Sequence, residues 1–402
     1  MQYIKEDGAV VIKSWCKNPE EGAIVQAKNL ARLPFVFRQI CLMPDTHRGY
    51  GMPIGGVMAT QGVVVPNAVG VDIGCGMCAV KTSLTEIYTE TLKSILGKIR
   101  ARIPVGFGKH REPQDWKLMP NVARLGRTGD CIVNNTFSEM HNDSVVEREY
   151  KNALLSLSTL GGGNHFIEIQ RGSDGRVWIM IHSGSRNLGK QVADFYNKKA
   201  VEMNEKYFSR VPREWGLAFL PLDSDDGRKY LAEMQYCVDF ALANRKLMMD
   251  RVSEIFLGYG DVSFGPMINI AHNYAAMERH FGVNVLVHRK GATSAQVGEV
   301  GIIPGSQGTS SYIVMGRGNE ESFQSCSHGA GRKMGRKQAE RTLNLEEEKK
   351  RLDDKGVIHS IRAIGDLDEA AGAYKDIDVV MDEQADLVEI LDRLEPLAVV
   401  KG

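Results

Sequence analysis

The chain has 402 residues, and its 50 Lys plus Arg balance 50 Asp plus Glu, for a formal charge of zero. That balance excludes binding to nucleic acid or membrane through a uniformly basic surface, so any contact with a polyanion has to be local. With 43% apolar and 25% charged residues, the composition is that of a folded globular protein and excludes a disordered chain.

The opening MQYIKEDGAV lacks the basic, apolar and small-residue segments of an export signal and predicts a cytosolic protein. Seven cysteines, an odd number scattered over a long chain, predict reduced thiols rather than a disulfide framework. The most apolar stretch, 54–71, contains four glycines and a proline. It reads as buried strands and turns rather than a membrane span, which needs roughly 20 apolar residues.

The first 80 residues alternate short apolar runs, such as Val63-Val64-Val65 and Ala68-Val69-Gly70-Val71, with turn signals, and predict a strand-rich half of a core. Residues 86–150, with Lys98, Arg100, Arg102, Lys109, Arg111, Lys117, Arg124 and Arg127, read as a basic, loop-rich, variable insertion. A strand is predicted at Val177–Ile181, followed by helices at about Leu188–Tyr207 and Asp226–Phe256, where Leu231, Met234 and Val238 recur at helical spacing. Residues 283–325 return to short strands with Gly-rich turns. A basic helix at Ala330–Arg351 and an acidic final helix at Asp376–Glu395 complete the pattern. No repeat or linker divides the chain, which predicts one α+β body over 1–402, with central sheets flanked by helices.

Four of the ten histidines stand in Gly, Ser or Asn contexts at the ends of apolar runs: Asn164-His165, His182-Ser183-Gly184-Ser185, His272-Asn273 and Ser327-His328-Gly329. Loops at strand ends are where scaffolds place function, and glycine lets the backbone approach a ligand closely. The run Gly70-Val71-Asp72-Ile73-Gly74-Cys75-Gly76-Met77-Cys78 adds a carboxylate and a thiol. Carboxylate, imidazole and thiolate together suit a first-row divalent ion, and a thiolate can bridge two. The alternative is that Asp72 makes a turn and Cys75 packs in the core. A single Cys-x-x-Cys excludes a four-thiolate zinc site. Gly74 to Ala79 imitates a dinucleotide fingerprint without an acid placed for the ribose, and Lys5-Glu6-Asp7-Gly8 imitates a ligase lysine motif without a preceding strand domain. No phosphate loop and no His-Glu-x-x-His occur, which excludes an ordinary NTPase and a standard zinc protease.

Eight motifs in one order carry a resemblance. They are Met43-Pro44-Asp45-Thr46-His47, Gly70 to Gly76, Gly161-Gly162-Gly163-Asn164-His165 with Glu168, His182 to Arg186, His272-Asn273-Tyr274, Pro304-Gly305-Ser306, Ser327 to Arg332, and Ala373-Tyr374-Lys375-Asp376, with Lys401-Gly402 at the end. Over residues 40–402 the chain resembles the RtcB family. The resemblance implies a GTP- and Mn2+-dependent RNA ligase that joins a 3′-phosphate or 2′,3′-cyclic phosphate end to a 5′-hydroxyl end. It implies Asp72, Cys75 and His165 as ligands of one metal, and Cys75, His182 and His272 as ligands of a second. His328 would accept GMP, with Asp45 orienting it. GTP would meet Asn164 at a phosphate, and Glu168, Ser306, Ser311, Tyr374 and Lys401 elsewhere. Arg186 and Arg332, each beside a motif, are candidates for phosphate or RNA contact, and the run Arg332, Lys333, Arg336, Lys337, Arg341 for the RNA backbone. Residues 100–150, Gln307 and Cys78 depart from the family pattern and leave the choice of RNA open between tRNA splicing and repair. Two other readings use the same residues: a dinuclear metal phosphodiesterase or phosphatase that never forms a guanylate, and a non-catalytic RNA-binding or metal-storage protein.

Overall fold

The computed structural model describes residues 1–122 and 144–402, together with the backbone of one short strand pair, Ile132–Val133 with Thr136–Phe137. Arg124 and Arg127 of the expected basic insertion lie outside the described residues.

Two sheets form the centre. A six-stranded sheet runs in the order Gln2–Ile4, Val11–Ser14, Val36–Tyr50, Met52–Thr60, Val283–Lys290, Asn273–His280. A seven-stranded sheet runs Ile268–Ala271, Gly76–Lys81, Val177–Ser183, Phe166–Gly172, Val388–Lys401, Ser311–Gly316, Val300–Ile303. The parallel pairing of Val11–Ser14 with Val36–Tyr50 apart, neighbouring strands within the two sheets are antiparallel. Helices pack on them, as the α+β expectation required. The 33-residue helix Asp225–Leu257, capped by the Ser224 hydroxyl accepting from Gly227 N, lies against strands Gly76–Lys81, Val177–Ser183 and Ile268–Ala271. Among the described residues no helix is long and apolar enough to cross a membrane, and the six described cysteines are all unpaired and buried.

Register places the functional ends. Ala271 pairs with Gly76 and Gly76 with Ser183; Met77 pairs with His182, His182 with Phe166, and Phe166 with Lys401. Residues 272, 75, 182, 165 and 401 therefore converge at one end of five adjacent strands, whatever their separation in sequence. The six-stranded sheet contributes a bulge. Between the paired positions Leu42–Gly56 and His47–Ile54 five residue steps of one strand oppose two of the other, and the surplus Pro44-Asp45-Thr46 carries Asp45 out of the ladder. Such bulges re-aim a side chain beside a site.

The long elements match expectation: helix Leu188–Lys206, helix Asp225–Leu257 and strand Val177–Ser183. Four readings need correction. The final acidic helix is only Ile377–Asp382; Val388–Lys401 is a strand of the large sheet, because Pro396 opposes a helix and Leu394, Ala398 and Val400 are buried while Glu395 is exposed. The helix at 330–351 is two, Arg336–Thr342 and Leu345–Asp353. Gly331 takes φ +73°, and a Cβ there would lie 2.2 Å from the Asp45 carbonyl oxygen, so residues 330–335 run as a loop against Asp45. The segment read as loop-rich holds the helix Thr89–Arg102, which buries Leu92, Ile95, Leu96 and Ile99 at helical spacing, and the start of Val145–Ser156. Ala68 and Val69 belong to a short helix, Pro66–Val69, rather than a strand. The helix Glu21–Ala31, burying Ala23, Ala27, Leu30 and Ala31, was not anticipated within the strand-rich N-terminal part.

Candidate active site and metal centre

Cys75 Sγ lies 3.4 Å from His165 Nε2 and 3.3 Å from His182 Nε2, and the three donor atoms are within 4.8 Å of one another. The Nδ1 atoms of both rings are held by backbone carbonyls, His165 by Leu160 O at 3.0 Å and His182 by Asn164 O at 3.0 Å. An Nδ1–H donated to a carbonyl fixes the tautomer and leaves Nε2 as a lone-pair donor, the usual outer support of a metal ligand. Asp72 Oδ2 is 3.6 Å from His165 Nε2. The His272 ring stands 5.3 Å from that of His182, centroid to centroid. Its Nδ1 is buried with no hydrogen-bond partner among the described residues, a costly state unless a ligand engages it.

The electrostatics fit a divalent cation. Burial, then the charges of His328 and neighbouring imidazoles, holds His182 and His272 well below the ordinary histidine value, so both are neutral at pH 7, as ligation requires. Burial, followed by the Asp72 charge, pushes the Cys75 thiol well up; a cation reverses that by stabilising the thiolate. Thiolate, imidazole and carboxylate donors with an orphaned buried ring nitrogen thus fit the metal pair that the family resemblance implied.

Next along the row the His328 ring lies 4.8 Å from His272. The short strand Ser325–Ser327, paired with Ala292–Ser294, delivers it. Asp45, fully buried, accepts from His328 Nδ1 at 2.6 Å and from the His328 backbone N–H at 3.1 Å on the same oxygen. Nδ1 therefore carries the proton, and Nε2 offers its lone pair to the cleft.

That cleft, of about 280 Å3, is lined by His182 and His328 together with Asn164, Phe166, Glu168, Ser306, Arg332, Tyr374 and Lys401. Ser311 stands behind it. Its hydroxyl accepts from Gln170 Nε2 at 3.0 Å and from Gly305 N–H at 3.2 Å, which ties the 304–306 turn to the residue that hydrogen-bonds Glu168. Burial pushes the Glu168 carboxyl up to about 8, against the Gln170 hydrogen bond and the Lys401 charge. Burial lowers Lys401, against the pull of Glu369, Asp368 and Glu168.

A raised acid favours folding in its protonated form. The contribution of Glu168 is full below its unfolded value near 4.5 and is lost as pH rises through about 8. The melting temperature of the wild type is accordingly expected to fall more steeply than that of Glu168→Gln between about pH 5 and pH 8. Parallel curves would mean that the carboxyl ionises in the folded chain as it does in water.

The two candidate arginines differ. Arg332 donates to Glu369 Oε1 at 3.2 Å, to the Tyr374 hydroxyl at 3.2 Å and to the Asp368 carbonyl, and lies over the Tyr374 ring. Arg186, in a left-handed conformation, donates to Thr159 Oγ1 at 2.8 Å and Gly106 O at 3.0 Å, with no carboxylate partner among the described residues. Neither is a freely solvated surface charge. Of the basic run, Arg336 reaches Glu369 at 3.0 Å, while Lys333, Lys337 and Arg341 are on the surface and form no ion pair among the described residues.

Sequence reasoning missed Glu369, a buried acid that anchors Arg332, Arg336 and the Tyr374 hydroxyl. It sits four residues before the Ala373-Tyr374-Lys375-Asp376 motif, and nothing in its local sequence separates it from Asp366 or Asp368. Gly161 was quoted only as part of a glycine run. Its φ is +99°, and a Cβ would lie 2.3 Å from both His165 Nδ1 and Arg186 Nη1, so only glycine fits.

The chain matches the family model described as "tRNA-splicing ligase RtcB" over residues 26–402. It is 38% identical over 409 aligned residues to the RNA-splicing ligase RtcB of Escherichia coli K12, covering 97% of both chains. It is 32% identical to the tRNA-splicing ligase RtcB of Thermococcus kodakarensis, over 96% of this chain and 92% of the relative. It is also 32% identical to the RNA-splicing ligase RtcB of Mycobacterium tuberculosis, over 94% of this chain and all of the relative. Family model, near-complete mutual coverage and the clustered motif residues give one conclusion: the chain belongs to the RtcB family.

Proposed function

We propose that this protein is an RNA ligase that joins a 3′-phosphate or 2′,3′-cyclic phosphate end to a 5′-hydroxyl end, using GTP, in tRNA splicing or RNA repair. The observation that carries the reading is the His328–Asp45 pair: an imidazole whose Nδ1 is anchored at 2.6 Å to a buried carboxylate and whose ring lines the cleft beside a buried thiol and imidazole cluster. A hydrolytic metal site that activates water needs no such nucleophile; a nucleotidyl transfer through a covalent enzyme intermediate does.

In this reading Asp72, Cys75 and His165 would hold one Mn2+, and Cys75, His182 and His272 would hold another. When bound, the ions offset phosphoryl charge and orient the reacting phosphates. His328 Nε2 attacks the α-phosphorus of GTP; a P–N bond forms as the bond to pyrophosphate breaks. Asp45 keeps the ring in its attacking tautomer and balances the positive charge that develops on it. The RNA 3′-phosphate oxygen then takes the GMP from His328, and the 5′-hydroxyl attacks the activated 3′-phosphate, expelling GMP. A cyclic end is opened by water beforehand. In this reading Asn164, which lines the cleft, meets a phosphate of GTP, Arg186 remains a candidate for phosphate or RNA contact from outside the cleft lining, and Glu168, Tyr374, Lys401 and Ser306, with Ser311 behind, receive the guanine and ribose. Glu168 and Lys401 differ in donor and acceptor character, which suits the hydrogen-bonding edge of a purine. RNA contact is confined to a local basic surface that includes Lys333, Lys337 and Arg341.

The test is a joining assay with two synthetic RNA strands, one ending in 2′,3′-cyclic phosphate and one beginning with 5′-hydroxyl, together with Mn2+ and GTP. Joined product that depends on both additions and retains the 3′-end phosphorus in the new linkage is expected. Conversion of the cyclic end to a monoester, with no joining at any GTP concentration, would identify a phosphodiesterase instead.

A further inference from the structure

The long helix Asp225–Leu257 carries two fully buried polar residues, Asn244 and Arg245, at the point where it crosses the strand ends of the metal centre. Arg245 has no carboxylate partner among the described residues. Its guanidinium donates instead to four neutral oxygens: Gly74 O at 3.0 Å, Ser183 O at 2.8 Å, Ile270 O at 3.1 Å and Asn269 Oδ1 at 2.8 Å. Gly74 precedes Cys75, Ser183 follows His182, and Ile270 lies two residues before His272. One side chain thus joins the three backbone segments that present three of the five ligand residues.

Asn244 extends the link to a fourth ligand-bearing segment, that of His165. Its Nδ2 is 3.2 Å from Ser183 Oγ and 3.2 Å from Gly184 O, and its Oδ1 accepts from Thr159 N–H at 3.2 Å. Ser183 Oγ in turn donates at 2.7 Å to Leu160 O, the same carbonyl that holds His165 Nδ1. A structural cation would find a carboxylate, because an unpaired buried charge is expensive; Arg289, also fully buried, does so with Glu278. Spending a guanidinium on carbonyls makes sense where its planar fork must hold several strands at fixed separations, a task a lysine ammonium cannot perform.

We propose that Asn244 and Arg245 form a positioning clamp that sets the spacing of Cys75, His182, His272 and His165, and through it the geometry of the metal pair. The inference rests on the metal reading of the site. Residues that orient ligands from outside commonly carry about 10- to 100-fold in metal affinity.

The test uses the full-length protein and Co2+ as the probe, because cobalt–thiolate charge-transfer and d–d bands report ligand geometry directly. For Arg245→Lys the expected result is a loss of Co2+ affinity of about 10- to 100-fold and displaced d–d bands at saturating Co2+. Asn269→Ser keeps the three carbonyl contacts but removes the acceptor that fixes the guanidinium plane. It is the gentler variant, expected to move the same bands to a smaller extent, and it decides the matter if Arg245→Lys does not fold. Wild-type affinity and wild-type bands in the folded variants, whatever their melting temperatures, would overturn the clamp and leave Arg245 as core packing. A wild-type protein without a cobalt–thiolate band would instead overturn the metal reading itself.

Discussion

His328→Ala is expected to reduce strand joining by roughly three orders of magnitude or more, the scale on which enzymes lose rate when a covalent nucleophile is removed. The ring does nothing for the core: it is 16% exposed and faces the cleft. The fold keeps its sheets, but Asp45, fully buried, is left with the His328 backbone N–H on one oxygen and, among the described residues, no hydrogen-bond partner on the other. An under-satisfied buried acceptor costs on the order of 1–3 kcal/mol, so a modest drop in melting temperature should accompany the loss of activity. Rate and thermal unfolding measured on the same preparation check both. Joining at even a tenth of the wild-type rate would remove His328 from the chemistry.

Cys75→Ser is expected to abolish joining as completely and to strip the protein of divalent metal on dialysis. A serine hydroxyl stays protonated at neutral pH, whereas the thiolate is the soft anionic donor of the set. Its position 3.3 and 3.4 Å from two imidazole nitrogens is not duplicated by Asp72, which lies 3.6 Å from His165 Nε2. Cys78→Ser provides the comparison. Its sulfur is equally buried but turns into a separate apolar cluster with Val80, Ile95 and Ile179, where it meets the Arg245 carbonyl at 3.8 Å. Metal content after dialysis should be retained in Cys78→Ser and lost in Cys75→Ser; retention in both would place the metal elsewhere.

The site was more legible in the sequence than the fold around it. Asp45, Cys75, His165, His182, His272 and His328 are rare residue types in glycine-rich strand ends, and each motif marks itself locally; the sheet register then brings together residues separated by more than 200 positions. Ser311 carried no such mark of depth, and its place behind the cleft follows from the hydrogen bonds of Gln170 and Gly305. Element types were read where periodicity was long, as in Asp225–Leu257. They failed where tertiary context outweighs local pattern. In Val388–Lys401 the apolar spacing of Ile390, Leu391 and Leu394 suggests a helix, yet the strand is fixed by pairing on both sides, with Phe166–Gly172 and Ser311–Gly316. Arg245 and Glu369 were invisible for a related reason: a buried charge is indistinguishable in sequence from a surface one until its partners, distant along the chain, are known.

Incubation of the protein with Mn2+ and GTP labelled at the α-phosphate, followed by denaturation and peptide mapping, tests the central chemistry most directly. The expected result is a covalent guanylate on the peptide containing His328, labile in acid and stable in base as a phosphoramidate should be, and absent from His328→Ala. Label that persists in His328→Ala, or no label under conditions in which the strands are joined, would contradict a histidine nucleophile.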